Sequence, residues 1–396
     1  MKIIINAVAA KMGAAQRHLT HIPPLLSALD PQNEYVIFVN PDTKLGSGLS
    51  SRIRAVRVRF GTKSLLHRLI WDQCVLPYTA ARMRAEVIVS LLNFGPVAFR
   101  GRQINFQQNS LYFCESYLRG LHGRQKLFCL LQRKLLHWIM KSSQVVVTPT
   151  IAMKEMIRSF YPDLEERKVR VLPYGFDGEE FSEECREAPE GLSRISKETG
   201  ADNQITKLLC VSHLYPYPYK GIDVLLQAFG YLREWGCRVK LVLTIERSDW
   251  PGHVEQYGKA MQKLEIERDV IMVGHVPQET VGAVYRSCDI FVYPSLCESF
   301  GLPMLEAMAA GLPTVAADTP VNREMLGDAA LYYAPDDPKE AAKQMRTVIE
   351  DPLTRSQLSG NALKRVSGFD WSWQRYVRSL LGLLGAAPAD AEQSSR

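Results

Sequence analysis

The chain has 396 residues, 46% of them hydrophobic and 23% charged, with 48 Lys and Arg against 42 Asp and Glu. These proportions exclude a disordered, collagen-like or coiled-coil chain, and at about 150 residues per domain the length predicts two or three domains. The net charge of +6 suits phosphate-bearing ligands or an anionic membrane surface and is too small to argue for nucleic acid.

No run of about 18 apolar residues occurs, so no membrane-spanning helix is predicted. The apolar start, Ile3–Ala10, is read as a first strand rather than a signal peptide. The strand candidates of the first half are Lys2–Val8, Tyr35–Val39, Ile53–Phe60, Glu86–Leu91, Gln103–Phe106, Gln144–Pro149 and Val169–Leu172. Those of the second half are Lys207–His213, Arg238–Ile245, Val270–Gly274, Asp289–Pro294, Thr314–Ala317 and Leu331–Tyr333. Runs such as IIINAV and VVVTP are almost continuously apolar, the pattern of strands covered on both faces. Their alternation with helical patterns predicts two doubly wound α/β domains.

A first helix over Gly13–Leu29 contains Pro23 and Pro24, which predicts a kink near His21 or two short helices. From Ser116, the segment SYLRGLHGRQKLFCLLQRKLLHWIMKSS interleaves Arg119, Arg124, Lys126, Arg133, Lys134 and Lys141 with Leu, Phe and Trp. Two readings stay open for 116–143: an amphipathic helix on anionic lipid, or a core-packing helix with a solvated basic face. The stretch Asp177–Gln204 is acidic, polar and poor in apolar residues, as a linker would be. We therefore place an N-terminal domain at 1–185, a linker at 186–205, a C-terminal domain at 206–368, and a last helix with a frayed tail at 369–396. The eight cysteines form no C-x-x-C pair and no zinc-like cluster. They are read as reduced thiols of a cytoplasmic protein, and no metal site is predicted.

The chemistry concentrates in CDIFVYPSLCESFGLPMLEAMAAGLPTVAAD, residues 288–318. It predicts strand, loop, helix and strand, with Pro303 in the helix's first turn and Gly311 at its end. Glu298 lies in the loop and Glu306 eight residues on, in the helix. Between them, Ser299-Phe300-Gly301-Leu302 places backbone N–H groups at a helix N-terminus, where anions bind. Gly301 admits a close backbone approach because it has no Cβ. Amides for phosphate and carboxylates for hydroxyls describe a site for a sugar nucleotide.

The embedded Glu-x7-Glu pattern, ESFGLPMLEAMAAGLPTVAAD, resembles the retaining glycosyltransferases of family 4, the group 1 glycosyltransferases. VSHLYPYPYKGIDVLLQAF, from Val211, is similar to the family's strand–loop–helix that presents an Arg and a Lys to the diphosphate. The resemblance implies the GT-B fold, two Rossmann-like domains facing an interdomain cleft, with acceptor on the first and donor on the second. It implies that Glu298 contacts the donor sugar, that Glu306 binds the ribose hydroxyls, and that backbone around Phe300 and Gly301 holds the diphosphate. Lys220 matches the lysine that offsets leaving-group charge, whereas His213 stands where the arginine is expected. Gly274 and Val276 match the segment beside the base, and Gly13 the small residue near the donor phosphates. Asn109, in QINFQQNSLYF, stands where many relatives carry a catalytic-site His; a plain turn residue is the other reading. Trp371 and Trp373 begin a helix that in this fold returns to the first domain.

The resemblance implies a hexose transferred from a nucleoside-diphosphate sugar to a saccharide or lipid-linked acceptor, in bacterial polysaccharide or lipopolysaccharide assembly. Attack would come on the leaving-group face, the donor phosphate taking the acceptor proton, with neither cofactor nor metal. A location at the inner face of the plasma membrane would follow. Two alternatives remain at this level. One is a catalytically weakened sugar-nucleotide-binding scaffold. The other is a glycosidase using Glu298 and Glu306, since spacing in sequence does not fix their separation.

Overall fold

Among the described residues the apolar runs become thirteen parallel strands, β1 (Lys2–Ala7), β2 (Glu34–Val39), β3 (Ile53–Arg57), β4 (Val87–Ser90), β5 (Arg102–Phe106), β6 (Val145–Thr148), β7 (Val169–Val171), β8 (Thr206–Cys210), β9 (Val239–Leu243), β10 (Val270–Met272), β11 (Ile290–Tyr293), β12 (Thr314–Ala317) and β13 (Ala330–Tyr333). The computed structural model describes residues 1–10, 14–178, 181, 195, 205–212, 218–245 and 251–385. Its helices are α1 (Ala14–Leu29), α2 (Leu65–Ile70), α3 (Leu76–Arg82), α4 (Glu115–Arg119), α5 (Gly123–Ser142), α6 (Ile151–Phe160) and α7 (Ile222–Glu234). They continue as α8 (Pro251–Lys263), α9 (Gln278–Arg286), α10 (Leu302–Ala309), α11 (Pro320–Leu326), α12 (Pro338–Glu350), α13 (Pro352–Ser367) and α14 (Trp373–Gly385). Among the described residues, no helix is long and apolar enough to cross a membrane.

The chain divides into two units. One holds Met1–Cys114, Leu121–Phe176 and Trp371–Arg396; the other holds Glu115–Gly120 and Asp177–Asp370. The segment 186–205, read as a linker, lies outside the described residues apart from Ile195 and Ile205.

The first unit is built on a sheet of order β3-β2-β1-β4-β5-β6-β7. Ile3, Ile4, Ile5 and Ala7 of β1 are all buried, because helices cover both faces of a parallel sheet. Register fixes which residues share a face. Ile4 pairs with Val36 and with Ile88, Ile88 with Gln103, and Asn105 with Val146. On that face Trp71, Leu76 and Ala80 pack over Ile4, Val36 and Ile88, while Leu136 and Met140 of α5 pack over Val146. At the other end of the chain α14 closes this unit. Trp373 stacks on His21 at 4.6 Å between ring centroids, Tyr376 lies edge-on to His18, and Phe176 N–H donates to the Trp371 carbonyl at 2.7 Å.

Two alternatives left open by the sequence are narrowed here. The helix with two prolines is one element, Ala14–Leu29, not two short helices. Pro23 cannot donate to the Leu19 carbonyl four residues back, and Gly46 N–H takes that carbonyl instead, at 3.3 Å. Gly46 lies so close that a Cβ there would overlap the Thr20 carbonyl oxygen, the one freed by Pro24. The basic segment 116–143 is two helices rather than one, broken at Gly120–His122, with Gly123 at a left-handed φ of +52°.

The second unit has the order β10-β9-β8-β11-β12-β13. Leu225 and Phe229 of α7, with Met345 of α12, pack over Leu208, Leu241 and Val292. The apolar face read from the sequence of α7 is therefore its buried face, with Ile222, Leu225, Leu226, Phe229 and Leu232 all inside. Strand order reverses between β8 and β11, and open sheets of this kind bind ligands beyond the carboxyl ends of the strands at that reversal.

Candidate functional site

At the reversal, Cys210 ends β8 and leads into Val211 and Ser212, and Tyr293 ends β11 and leads into Pro294 and Ser295. With Lys220 they line a recess of about 10 Å³, room for roughly one water.

Two left-handed glycines bring the site's loops together. Gly221, at φ +66°, caps α7, and a Cβ there would lie 2.3 Å from the Pro294 carbonyl oxygen. The loops also share a backbone hydrogen bond, Leu296 N–H to the Tyr219 carbonyl at 2.7 Å. This apposition sets Lys220 against Glu298 across 78 residues of sequence, with Nζ 2.7 Å from Oε1. Gly301, at φ +83°, turns the second loop into α10, and a Cβ there would meet the Met304 methyl at 2.2 Å. Asn322 of α11 pins that loop by donating its amide to the carbonyls of Ser295 (3.1 Å) and Ala317 (2.9 Å).

The Glu298 side chain is 14% exposed and that of Lys220 23%. Burial alone would raise the Glu298 carboxyl. The Lys220 ammonium and hydrogen bonds from Lys220, Ser295 and Tyr293 outweigh it and hold the group below the ordinary carboxylate range. Ser295 Oγ donates to the same Oε1 at 2.6 Å. Burial, then the Glu298 charge, pushes the Tyr293 hydroxyl well up. Glu298 is thus an ionised acceptor held by three donors.

Glu306 lies one turn into α10 and is buried, at 4% exposure. The Tyr285 hydroxyl donates to its Oε2 at 2.7 Å. Tyr285 sits on the inner side of α9, edge-on to Phe181 with ring centroids 5.7 Å apart. A buried carboxylate without a donor would be costly, so this hydroxyl fixes one edge of the group.

The remaining sequence candidates fall as follows. Phe300 and Gly301 are buried, and Ser299 and Leu302 half-buried, on the turn into α10. Gly274 follows β10 at φ +78°, with Val276 two residues on. Gly13 and His213 lie outside the described residues. Asn109 belongs to the first unit, where it is exposed and its Oδ1 accepts the Leu111 N–H at 3.0 Å. Its backbone is held by Asn93, which accepts the Asn109 N–H at 2.8 Å. Sequence reasoning missed Tyr293, Ser295, Tyr285 and Asn322. The first two stand within five residues of Glu298 and were open to notice. Nothing local links Tyr285 to Glu306, because only the packing of α9 on α10 joins them.

Residues 193–365 match the sequence profile of the family described as glycosyl transferases, group 1. Through that segment, which is less than half of the chain, it is similar to the group 1 glycosyl transferases. The chain is similar to the O-antigen chain mannosyltransferase B of Escherichia coli, 32% identical over 155 residues that make up 39% of this chain and 40% of that protein. It spans from about a quarter to just over half of the length of the curated relatives it matches. Among solved structures it resembles sucrose-phosphate synthase from Thermosynechococcus elongatus, with a TM-score of 0.75 and 17% identity over 97% of this chain and 98% of that one. It also resembles HepE of Anabaena in complex with UDP-glucose, with a TM-score of 0.70 and 17% identity over 97% and 99% of the two chains. These structural likenesses concern the fold, and the two doubly wound units are of the GT-B class.

Proposed function

We propose that this protein is a retaining glycosyltransferase of group 1 that moves a hexose from a nucleoside-diphosphate sugar to a saccharide or lipid-linked acceptor. The process would be bacterial polysaccharide or lipopolysaccharide assembly, on the cytoplasmic side of the membrane. The observation that carries this reading is the apposition of Lys220 and Glu298 at the strand reversal, on the loop that leads into α10.

A departing nucleoside diphosphate gains negative charge as the sugar bond breaks. The Lys220 ammonium and the positive end of α10 oppose that charge without reorganising. Lys220 spends one of its three donors on Glu298, which holds the stem in place while the others serve phosphate oxygens. Glu298, kept ionised, accepts from a sugar hydroxyl. Glu306, with one oxygen held by Tyr285, takes the ribose hydroxyls. In this reading Ser299, Phe300, Gly301 and Leu302 hold the diphosphate, Gly13 and His213 complete that contact, Gly274 and Val276 border the base, and Asn109 meets acceptor or sugar. The donor phosphate takes the acceptor proton, and no residue is assigned as nucleophile. The lowered Glu298 carboxyl does not suit a glycosidase's general acid, and a hydrolase has no use for the Lys220 ammonium beside the helix N-terminus.

The test begins with thermal shifts in a panel of nucleoside diphosphates and their sugars, since a bound donor raises apparent stability. Lys220→Ala should then reduce turnover roughly 10²–10³-fold. Undiminished turnover in Lys220→Ala would overturn the site assignment. Tight nucleotide binding without transfer across a broad acceptor panel would favour a binding scaffold instead.

A further inference from the structure

Strand order reverses in the first unit as well, between β1 and β4. The carboxyl ends of those two strands are therefore where that unit has room for a ligand. Register brings three polar residues into one row there. Asn6 of β1 pairs with Ser90 of β4, and Ser90 with Asn105 of β5. All three are buried, and buried polar groups need partners.

The partners of Asn6 come from a single π-helical turn, Trp71–Val75, between α2 and α3, a feature that often marks functional positions. Asn6 donates Nδ2–H to Asp72 Oδ1 at 2.8 Å and accepts the Trp71 indole N–H at 3.1 Å. Gln73 of the same turn ties down the loop after β4. It donates to the Gly95 carbonyl at 2.8 Å and accepts the Val97 N–H at 3.0 Å. The other oxygen of Asp72, Oδ2, accepts from Arg68 Nε–H at 2.6 Å. The side chains of this ion pair are 12% (Arg68) and 2% (Asp72) exposed.

The guanidinium is only partly used. Of its five N–H groups, Asp72 takes the one on Nε, not the two-nitrogen grip common between arginine and carboxylate. Nη1 and Nη2 are buried, and neither meets an acceptor among the described residues. Burying charged donors in that way is costly. Asp72 thus fixes the plane of the fork and leaves its outer edge unspent. That edge matches two oxygens of one phosphate or carboxylate. The surroundings agree in sign: from 43 to 85 the chain has nine Lys and Arg, and Asp72 is its one acidic residue. Gln108, on the loop after β5, carries a second buried donor, Nε2, without an acceptor among the described residues. The same end of the sheet therefore also has an uncharged contact to offer a sugar hydroxyl.

We propose that Arg68, oriented by Asp72, binds the oxyanion of an acidic sugar, a phosphate or a carboxylate, at the carboxyl ends of β1 and β4. The site is argued from the first unit alone. That its ligand is the acceptor rests on the transferase reading, and the acceptor is then an anionic saccharide and not a neutral one.

The full chain is titrated calorimetrically with glucose 6-phosphate, glucuronate and glucose, and separately with UDP and GDP. One or both acids should bind at least about tenfold more tightly than glucose, and the acid that binds names the oxyanion. Arg68→Met alone would strand the Asp72 charge, so it is combined with Asp72→Asn, which can still accept from Asn6. This double variant should lose the preference for the acids while keeping its affinity for glucose. Arg68→Lys keeps a cation beside Asp72 but not the fork, and should weaken the acids about fivefold or more. A merely structural ion pair would move the melting temperature in these variants and leave the preference for acids over glucose alone. Equal binding of acids and glucose to the native chain, binding of neither acid, or a preference that survives in both variants would overturn the proposal. The nucleotide titrations judge the transferase reading separately: failure to bind UDP or GDP counts against that reading, while the acids alone decide the role of Arg68.

Discussion

Gly221 is where the geometry of the candidate site is most exposed to a single methyl group. Gly221→Ala adds a Cβ at φ +66°, 2.3 Å from the Pro294 carbonyl oxygen. The left-handed conformation alone costs a residue with a Cβ about 1–2 kcal/mol. The overlap lies more than about 1 Å inside ordinary carbon–oxygen contact and is against backbone, so no rotamer relieves it; pushing the loops apart adds about 1–3 kcal/mol. Gly236→Ala is the matched control, at φ +79° with nothing within 4 Å of the added Cβ. Urea unfolding should show both variants destabilised, Gly221→Ala by about 1–3 kcal/mol more than Gly236→Ala. Separation of the loops also moves Lys220 from Glu298, so nucleotide binding should weaken in Gly221→Ala and hold in Gly236→Ala. Equal destabilisation in the two variants, with nucleotide binding intact in both, would refute the view that a close backbone contact sets the site.

Two further outcomes follow from the buried carboxylates. Tyr285→Phe removes the donor to Glu306 Oε2 and should weaken nucleotide binding about 5- to 20-fold at similar turnover; unchanged affinity would show that Glu306 does not depend on Tyr285. The Glu298 carboxyl is depressed in the fold from an ordinary value of 4.5. Its contribution to stability is therefore complete above about pH 4.5 and lost as pH falls through the lower folded value. Urea midpoints measured down from pH 6 should fall more steeply for the native chain than for Glu298→Gln, and parallel curves would contradict the pairing.

Much of the fold was legible because its signals are local. Thirteen apolar runs became strands, each within a few residues of the expected bounds, since strands covered on both faces have no polar alternation to obscure them. The prolines of α1 left two short helices open because their effect depends on a distant partner: Gly46 N–H takes the Leu19 carbonyl that Pro23 leaves. The segment 116–143 carried its break in Gly120 and Gly123, but periodicity across the join masked it. Lys220, Glu298, Gly301 and Glu306 were readable from motif, while their mutual arrangement was not. The ion pair depends on Gly221 meeting Pro294, and the Glu306 anchor on Tyr285, neither of which is near its partner in sequence.

The way the first unit closes bears on the order in which it forms during synthesis. Its seven strands are complete once Val171 has been added, yet the cover for His18 and His21 comes from Trp373 and Tyr376. Gly175 is shaped to the same indole, since a Cβ there would lie 2.3 Å from it. At about 5–20 residues per second, the intervening second unit delays that cover by roughly 10–40 s. The nascent first unit therefore carries an uncapped aromatic seat through all of that time. The second unit, made without interruption from Asp177 to Asp370, has no such wait apart from the short Glu115–Gly120 piece that precedes it.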